Sequence, residues 1–505
     1  MTRIAGQLSP EQLKAAQDQA AAIPAAAKPA IAAGQFVYFA AFDGTSNDKD
    51  KLSRGMQSTN AAQLYQQVAQ AAKTRSDIGF HYFSGPGTAG TLPGSAFLPP
   101  AVTAEAARTA NLAYDDFQKQ ASTWLKSHPG GSVAVAAAAF SRGNDAASVF
   151  AQLLYERGLT DPGSGKMLVP PGQLGLSAAV LYDPVMTGMS GNMAFPPNSR
   201  NLLILRAEHE YRSMFQAADF SAQRGAVNAS LPGNHCDVGG GYDNGLGALA
   251  LQAGTGFLQK AGLAIADVPQ SRRFDPRQPA LVHDEGVNQY GQTIWTTYGS
   301  YDQDRVARRT DQVARQAEVS TANGVTTTRF NDFSGKRVQL EQSQGPAGPQ
   351  GVMTIQDYFN GSTSRVAFPP SAAAAPAAAL SPAKQTLLQQ ARQAVEQLCQ
   401  RDKLPFNAGQ RDNIAAALGH AAWQQGLGKA GFALLHDGQS RISLLHPDSA
   451  PGARPATLEL AAAALKPAAQ SLLALAQSPD AAAHGAEAKP QILPTRRPAA
   501  AGMTL

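Results

Sequence analysis

Ser141 lies in VAVAAAAFSRGND, where an apolar run of small and β-branched residues breaks at Phe140-Ser141-Arg142-Gly143 into the helical pattern AASVFAQLLYERGL. A serine on a tight turn between a buried strand and a helix has its hydroxyl pushed clear of the backbone. The helix N-terminus and nearby N–H groups can then hold the oxyanion formed when that hydroxyl attacks an acyl carbon. The pattern is a nucleophile elbow, G-x-S-x-G, with Ala139 in place of the first glycine, which puts one methyl where strand and helix approach. The competing account is an ordinary β-α turn with a serine N-cap. The flanking strand and helix are the context the motif requires.

Such a serine needs a base and an acid to orient that base, in chain order Ser, Asp, His for a strand-to-helix elbow. Asp183 closes the apolar run LSAAVLYDPV, and His235 lies later in GNHCDVGGGY. Asp183 can also be read as a turn residue before Pro184, and Asp145 and Asp237 compete with it as the acid. For His235, the consecutive glycines Gly239 to Gly241 allow a close backbone approach. His209, in AEHEYRS, reads as a solvated residue at a charged strand end. In FDGTSND the backbone N–H of Gly44 or Thr45, together with that of Arg142, is the expected oxyanion hole, and Asp43 braces the loop. Asp48 and Asp50 alternate with lysines, which points to a solvated turn rather than a metal site. Cys236 has no separate base and reads as small filler. CxxC, HExxH and P-loop patterns are absent, so no cofactor and no metal are expected.

The 505 residues exceed what one core holds, so more than one domain is expected. The formal charge is +5 with no dense Lys/Arg block, which argues against nucleic acid as a partner. Two cysteines cannot form a disulfide framework. The N-terminus lacks an apolar signal-peptide core and no segment approaches the ~18 apolar residues of a membrane span, so synthesis in the cytoplasm without a cleaved signal peptide is expected.

Alternation of strands and helices predicts an α/β fold with a mainly parallel sheet, helices on both faces and ligand-handling residues at strand C-termini. Residues 1–34 read as a flexible lead-in or frayed helix, and 35–367 as the catalytic domain with a polar insertion or lid within 270–360. An Ala/Pro linker over 368–383 precedes a small α+β module over 384–448, and 449–505 reads as a low-complexity tail.

Four segments together, FDGTSND, FSGPGT, AFSRGND and NHCDVGGGY, resemble the α/β-hydrolase family that contains the type VI secretion phospholipase effectors, over residues 36 to about 265. That family's elbow usually reads Gly-Phe-Ser-Arg-Gly-Ala, so Ala139 and Asn144 depart from it, and Cys236 stands where serine is common. The resemblance implies Ser141 as nucleophile, His235 as base and, from the likeness of LYDP to a Phe-Asp-Thr segment, Asp183 as acid. It implies a lipase-type hydrolase of membrane phospholipids, a toxin acting in the envelope of rival bacteria, with an immunity protein in the producer. The C-terminal module resembles the recognition domain of antibacterial effectors of the Xanthomonadales type IV secretion system in RDNIAAAL, Gly426-Leu427 and the following hairpin. There ISLLHPD stands where Ala-Val-Gln-Gly is usual, and the tail is less glutamine-rich. This implies docking to a secretion apparatus component. Two further readings fit the residues: an intracellular esterase on a soluble ester, and a non-catalytic binding protein on a hydrolase scaffold, the latter encouraged by Ala139 alone.

Overall fold

Apolar runs buried on both faces build parallel sheets, and residues 1–369, the first of two compact units, are organised around a six-stranded sheet whose four inner strands are such runs and whose edge strands are only partly buried. The computed structural model describes residues 2–88, 99–186, 188–189, 191–243, 245–288, 290, 292–293, 315–345, 348–368, 380–404, 406, 408–436, 440–445, 455–466 and 468–478. In chain order the first unit comprises β1 (Thr2–Gln7), α1 (Pro10–Ala22), β2 (Phe36–Phe42), α2 (Asn60–Ala72), β3 (Ile78–Phe83), α3 (Pro99–Ser127), β4 (Val133–Phe140) and α4 (Gly143–Arg157). There follow β5 (Leu159–Thr160), β6 (Met167–Val169), β7 (Leu176–Tyr182), β8 (Leu202–Ala207), β9 (Ala226–Leu231), α5 (His235–Gly239), α6 (Leu246–Lys260) and β10 (Leu281–Asn288). Five more strands close it: β11 (Glu318–Ala322), β12 (Val325–Asn331), β13 (Arg337–Gly345), β14 (Gly348–Asp357) and β15 (Ser362–Phe368).

The central sheet runs β3-β2-β4-β7-β8-β9, all parallel. Strand β4 shows why its sequence has no period-2 polarity. Val135, Ala137 and Ala139 face a cluster with Phe117 of α3 and Phe150 of α4, while Ala134, Ala136, Ala138 and Phe140 face one with Leu64 of α2 and Leu251 of α6. The α/β class expected from the alternation is therefore what the unit adopts. Strand order reverses between β2 and β4, and the crevice outside their carboxyl ends is where such sheets place ligands.

The lead-in is more ordered than its composition suggests. Strand β1 pairs antiparallel with β10, Ser9 and Gln12 form a capping box on α1, and Ala16, Ala20 and Ile23 are buried in the cluster shared with α6. Alanine suffices where two helices lie close, so few large apolar residues are needed. Within 270–360, read as polar and irregular, β11–β14, with β15 just beyond it, form an antiparallel meander over Tyr155, Phe330, Val338, Leu340 and Met353. Only one face is covered, hence the polar composition. Residues 294–314 lie outside the described residues.

In the second unit, 370–505, α7 (Pro382–Arg401) and α8 (Ala408–Gln424) pack on a three-stranded sheet of β16 (Phe432–His436), β17 (Arg441–Leu445) and β18 (Ala456–Glu459). Helices α9 (Leu460–Leu465) and α10 (Ala468–Gln477) complete it. Residues 456–466 and 468–477, expected in a low-complexity tail, are thus folded: Leu460 and Leu475 are buried, and Asn413 binds Ala464 O and Ala468 N. The linker residues 369–379 and the tail from 479 lie outside the described residues. Among the described residues no helix is long and apolar enough to cross a membrane.

Glu156, near the end of α4, is buried with Oε1 unpartnered. Burial, reinforced by the charge of Asp332, pushes its carboxyl up to about 8. The folded protein therefore keeps a proton that the unfolded chain releases, and stability falls as pH rises from about 4.5 to about 8. Glu156→Gln should remove that fall and be more stable than wild type at pH 8 by on the order of 2–4 kcal/mol. Urea midpoints at pH 5 and pH 8 check this; the same pH dependence in both proteins would refute it.

Candidate active site

Ser141 has φ 55, a left-handed conformation that costs a non-glycine residue about 1–3 kcal/mol. Its N–H donates to Tyr182 O at 3.0 Å, which ties the turn to the end of β7. Gly143 opens α4 where a Cβ would lie 2.4 Å from Phe42 O, so only glycine lets the helix start this close to β2. Ala139, by contrast, is buried within the core cluster and its methyl is accommodated there.

Asp183 follows β7, with φ 39 and no solvent exposure. Its Oδ1 accepts from Ala207 N–H at 2.8 Å, and its Oδ2 is 2.6 Å from His235 Nδ1. His235 begins α5, whose N-cap Asn234 forms a capping box with Asp237. Gly239 lets this short helix rest on Phe140, where a Cβ would come within 2.3 Å. The imidazole packs against two phenyl rings, 4.6 Å from Phe140 and 5.0 Å, edge to face, from Phe215. Its backbone N–H donates to Glu210 Oε2 at 3.3 Å.

Ser141 and His235 line one cavity of about 210 Å³ together with Thr45, Ser46, Asn47, Phe140, Arg142, Val185, Arg212, Met214, Phe215 and Cys236. One wall carries hydroxyls and amides from the loop after β2; the other is largely apolar. A serine held in a strained turn beside a histidine whose far nitrogen is engaged by a buried carboxylate can carry out nucleophilic attack with proton transfer.

Of the amides expected to hold an oxyanion, the N–H of Gly44 is taken up by Asp43 Oδ1 at 2.8 Å, whereas Thr45 and Arg142 line the cavity and are joined by a 2.8 Å bond from Arg142 Nε to Thr45 Oγ1. The competing acids are placed elsewhere. Asp237 accepts from Asn234 N–H and from His283 N–H and lies 2.7 Å from His283 Nδ1. Asp145 is buried in the first turn of α4, its carboxyl oxygens have no hydrogen-bond partner among the described residues, and desolvation pushes it well above the usual carboxylate range. His209, read as solvated, is half-buried: Nδ1 accepts from Gly233 N–H at 3.0 Å, and burial lowers its pKa. Burial likewise pushes the Cys236 thiol up, away from thiolate chemistry. Asp48 and Asp50 pair with Lys51 and Lys49 on the surface, and among the described residues no cluster could hold a metal ion.

Sequence reading missed the loop after β8. There the Arg212 guanidinium lies 3.5 Å from the Phe215 ring centroid and is ion-paired at 2.7 Å with both Glu210 and Glu285. The charged pair in HEYR was the available signal; Glu285 had none. This loop, and no described residue from 270–360, walls the cavity.

The fold and site place the chain among α/β proteins with a serine, histidine and aspartate gathered at the carboxyl ends of a parallel sheet. No family model and no curated protein matches its sequence. Solved structures with partial likeness include an uncharacterized protein from Pseudomonas aeruginosa (18% identity, 55% of this chain and 53% of that one, TM-score 0.35). A second is the Tle1 effector bound to the VgrG spike of the type 6 secretion system (18%, 43% and 52%, 0.30). A third is an acetyl xylan esterase (11%, 45% and 95%, 0.19). The chain spans about half the length of the first two, and at these scores the likeness fixes neither family nor activity.

Gly143→Ala should destabilise the protein by about 1–3 kcal/mol through overpacking against β2. Chemical denaturation measures this, and a wild-type midpoint would mean that the elbow does not need the glycine.

Proposed function

We propose that the protein is a serine acylhydrolase acting through an acyl-enzyme on Ser141. The observation that carries this reading is the strained Ser141 sharing one cavity with His235, whose Nδ1 is bonded to the buried Asp183. Ser141 Oγ attacks the ester carbonyl as His235 Nε2 takes its proton, and the carbonyl oxygen becomes an oxyanion facing the amides of Thr45 and Arg142. Collapse expels the alcohol, which takes the proton back from His235. Water, deprotonated by the same histidine, then attacks the acyl-serine and releases the carboxylic acid and free Ser141. Asp183 keeps its negative charge and holds the imidazole in the productive tautomer.

The four-motif resemblance supports a finer proposal: the acyl groups come from membrane phospholipids, and the enzyme is an exported antibacterial effector acting in the envelope of target cells. The C-terminal unit then docks to the secretion apparatus, and the producer carries an immunity protein. The size of the cavity favours a second reading. At about 210 Å³ it lies below the ~300–1,000 Å³ of sites that enclose drug-sized ligands, which suits a small soluble ester.

Purified wild type and Ser141→Ala, incubated with mixed phospholipid vesicles and with short-chain p-nitrophenyl esters, separate these readings. Fatty acid and lysolipid release by wild type alone supports the phospholipase. Turnover of short esters alone supports the soluble-ester enzyme, and no turnover of either removes the acylhydrolase reading. Ser141→Ala should lose on the order of 10⁴-fold or more in kcat while staying folded. Asp183→Asn should lose about 10³–10⁴-fold, whereas Asp237→Asn should mainly lower the melting temperature; a larger kcat loss in Asp237→Asn would reassign the acid.

A further inference from the structure

Asp43 lies at the carboxyl end of β2 and is 1% exposed, a buried acid that no step of the reaction above uses. Its carboxylate gathers three donors from three parts of the chain. Oδ1 accepts from Gly44 N–H at 2.8 Å and from Thr59 Oγ1 at 2.8 Å, and Oδ2 accepts from Tyr82 O–H at 2.6 Å. Each donor is itself fixed. The Thr59 hydroxyl also accepts from Ala62 N–H as the N-cap of α2, and the Tyr82 hydroxyl, on β3, accepts from Lys49 N–H. The loop from Gly44 to Lys49 is thus held at both ends by one carboxylate, directly at Gly44 and through Tyr82 at Lys49.

That loop is the polar wall of the cavity. Gly44 abuts the elbow so closely that a Cβ there would lie 2.9 Å from Ser141 Cβ, and Thr45, Ser46 and Asn47 all face the cavity. Asp43 takes the Gly44 N–H, which leaves Thr45, the next residue along the loop and one that lines the cavity with Ser141, to supply an amide. Burial pushes the Asp43 carboxyl up to about 6 against the pull of its donors, so at neutral pH it is ionised and accepts all three bonds.

We infer that Asp43 is a positioning residue for the reaction: by holding the Gly44–Lys49 loop it aims the Thr45 amide at the oxyanion that forms on the Ser141 adduct. The inference rests on the acylhydrolase reading. Groups that stabilise developing charge act through preorganisation, so a loop left free to wander loses rate rather than substrate binding. Exchange of the carboxylate for an amide keeps the shape and removes the charge that organises the three donors.

The test uses the full chain and three readouts on Asp43→Asn and Tyr82→Phe: kcat and KM on a hydrolysed p-nitrophenyl ester, inhibition by a trifluoromethyl ketone that forms a tetrahedral adduct on serine, and the melting temperature with the fraction of titratable Ser141. Asp43→Asn is expected to lose ~10- to 100-fold in kcat with KM within about twofold, part of the ~10²–10³-fold cost of deleting an oxyanion donor. The ketone should weaken by the same factor as kcat/KM falls, with titratable sites near wild type. Tyr82→Phe, which removes the Oδ2 donor and the acceptor of Lys49 N–H but leaves the carboxylate bonded to Gly44 and Thr59, should lower kcat and ketone affinity in the same direction and less far, with titratable sites near wild type. Wild-type kcat in Asp43→Asn, or a loss explained by fewer titratable sites or by KM with ketone affinity unchanged, overturns the inference and leaves the acylhydrolase reading standing. A wild-type protein that hydrolyses no ester and whose Ser141 reacts with no ketone overturns both.

Discussion

The bond between His235 Nδ1 and Asp183 Oδ2 ties the end of β7 to the start of α5 in a place water does not reach. A carboxylate removed from water is costly unless its oxygens are satisfied, and here both are, one by the imidazole and one by the Ala207 amide. The rest of the site is arranged around that requirement. Phe140 and Phe215 pack against the imidazole, and the elbow hangs from Tyr182, the residue before Asp183.

The same device recurs around the crevice. Loops at strand ends carry N–H groups that no ladder satisfies, and here buried carboxylates collect them: Asp43 takes Gly44 N–H, Glu210 takes those of Arg212 and His235, and Asp237 takes those of Asn234 and His283. Each carboxylate is also held by a side chain, Tyr82 and His283 from distant segments and Arg212 from the same loop. Apolar packing builds the sheet, but polar bonds aimed in fixed directions set the loops. That division suits a site where the backbone must be held to a fraction of an ångström.

What could be read from the sequence follows the same line. Strand β4, the elbow and the aspartate and histidine beyond it carry strong local patterns, because a strand buried on both faces and a strained turn each restrict residue type. The meander β11–β15 had a signal that went unused: Asn323-Gly324, with φ 52 and 75, is a two-residue hairpin turn between Ala322 and Val325, and Val338 and Leu340 alternate with polar neighbours. Its open face dilutes that period with threonine and glutamine. Alanine misled at both ends of the chain, since α1 and the helices after β18 pack through methyl groups that composition alone reads as disorder. The partnership of Arg212 with Glu285 joins distant segments by charge, which leaves no periodic trace.

Strand β1 pairs with β10, the first strand of the chain with one that leaves the ribosome only after the whole central sheet has been made. Until then β1 has an open edge and α1 lacks α6, the helix it packs against. The α5 loop cannot reach its final form earlier either, because Asp237 draws on the N–H and ring of His283, within β10. The nascent chain can therefore form its central sheet before Asp237 gains His283, and the N-terminal strand and the α5 loop both wait on β10.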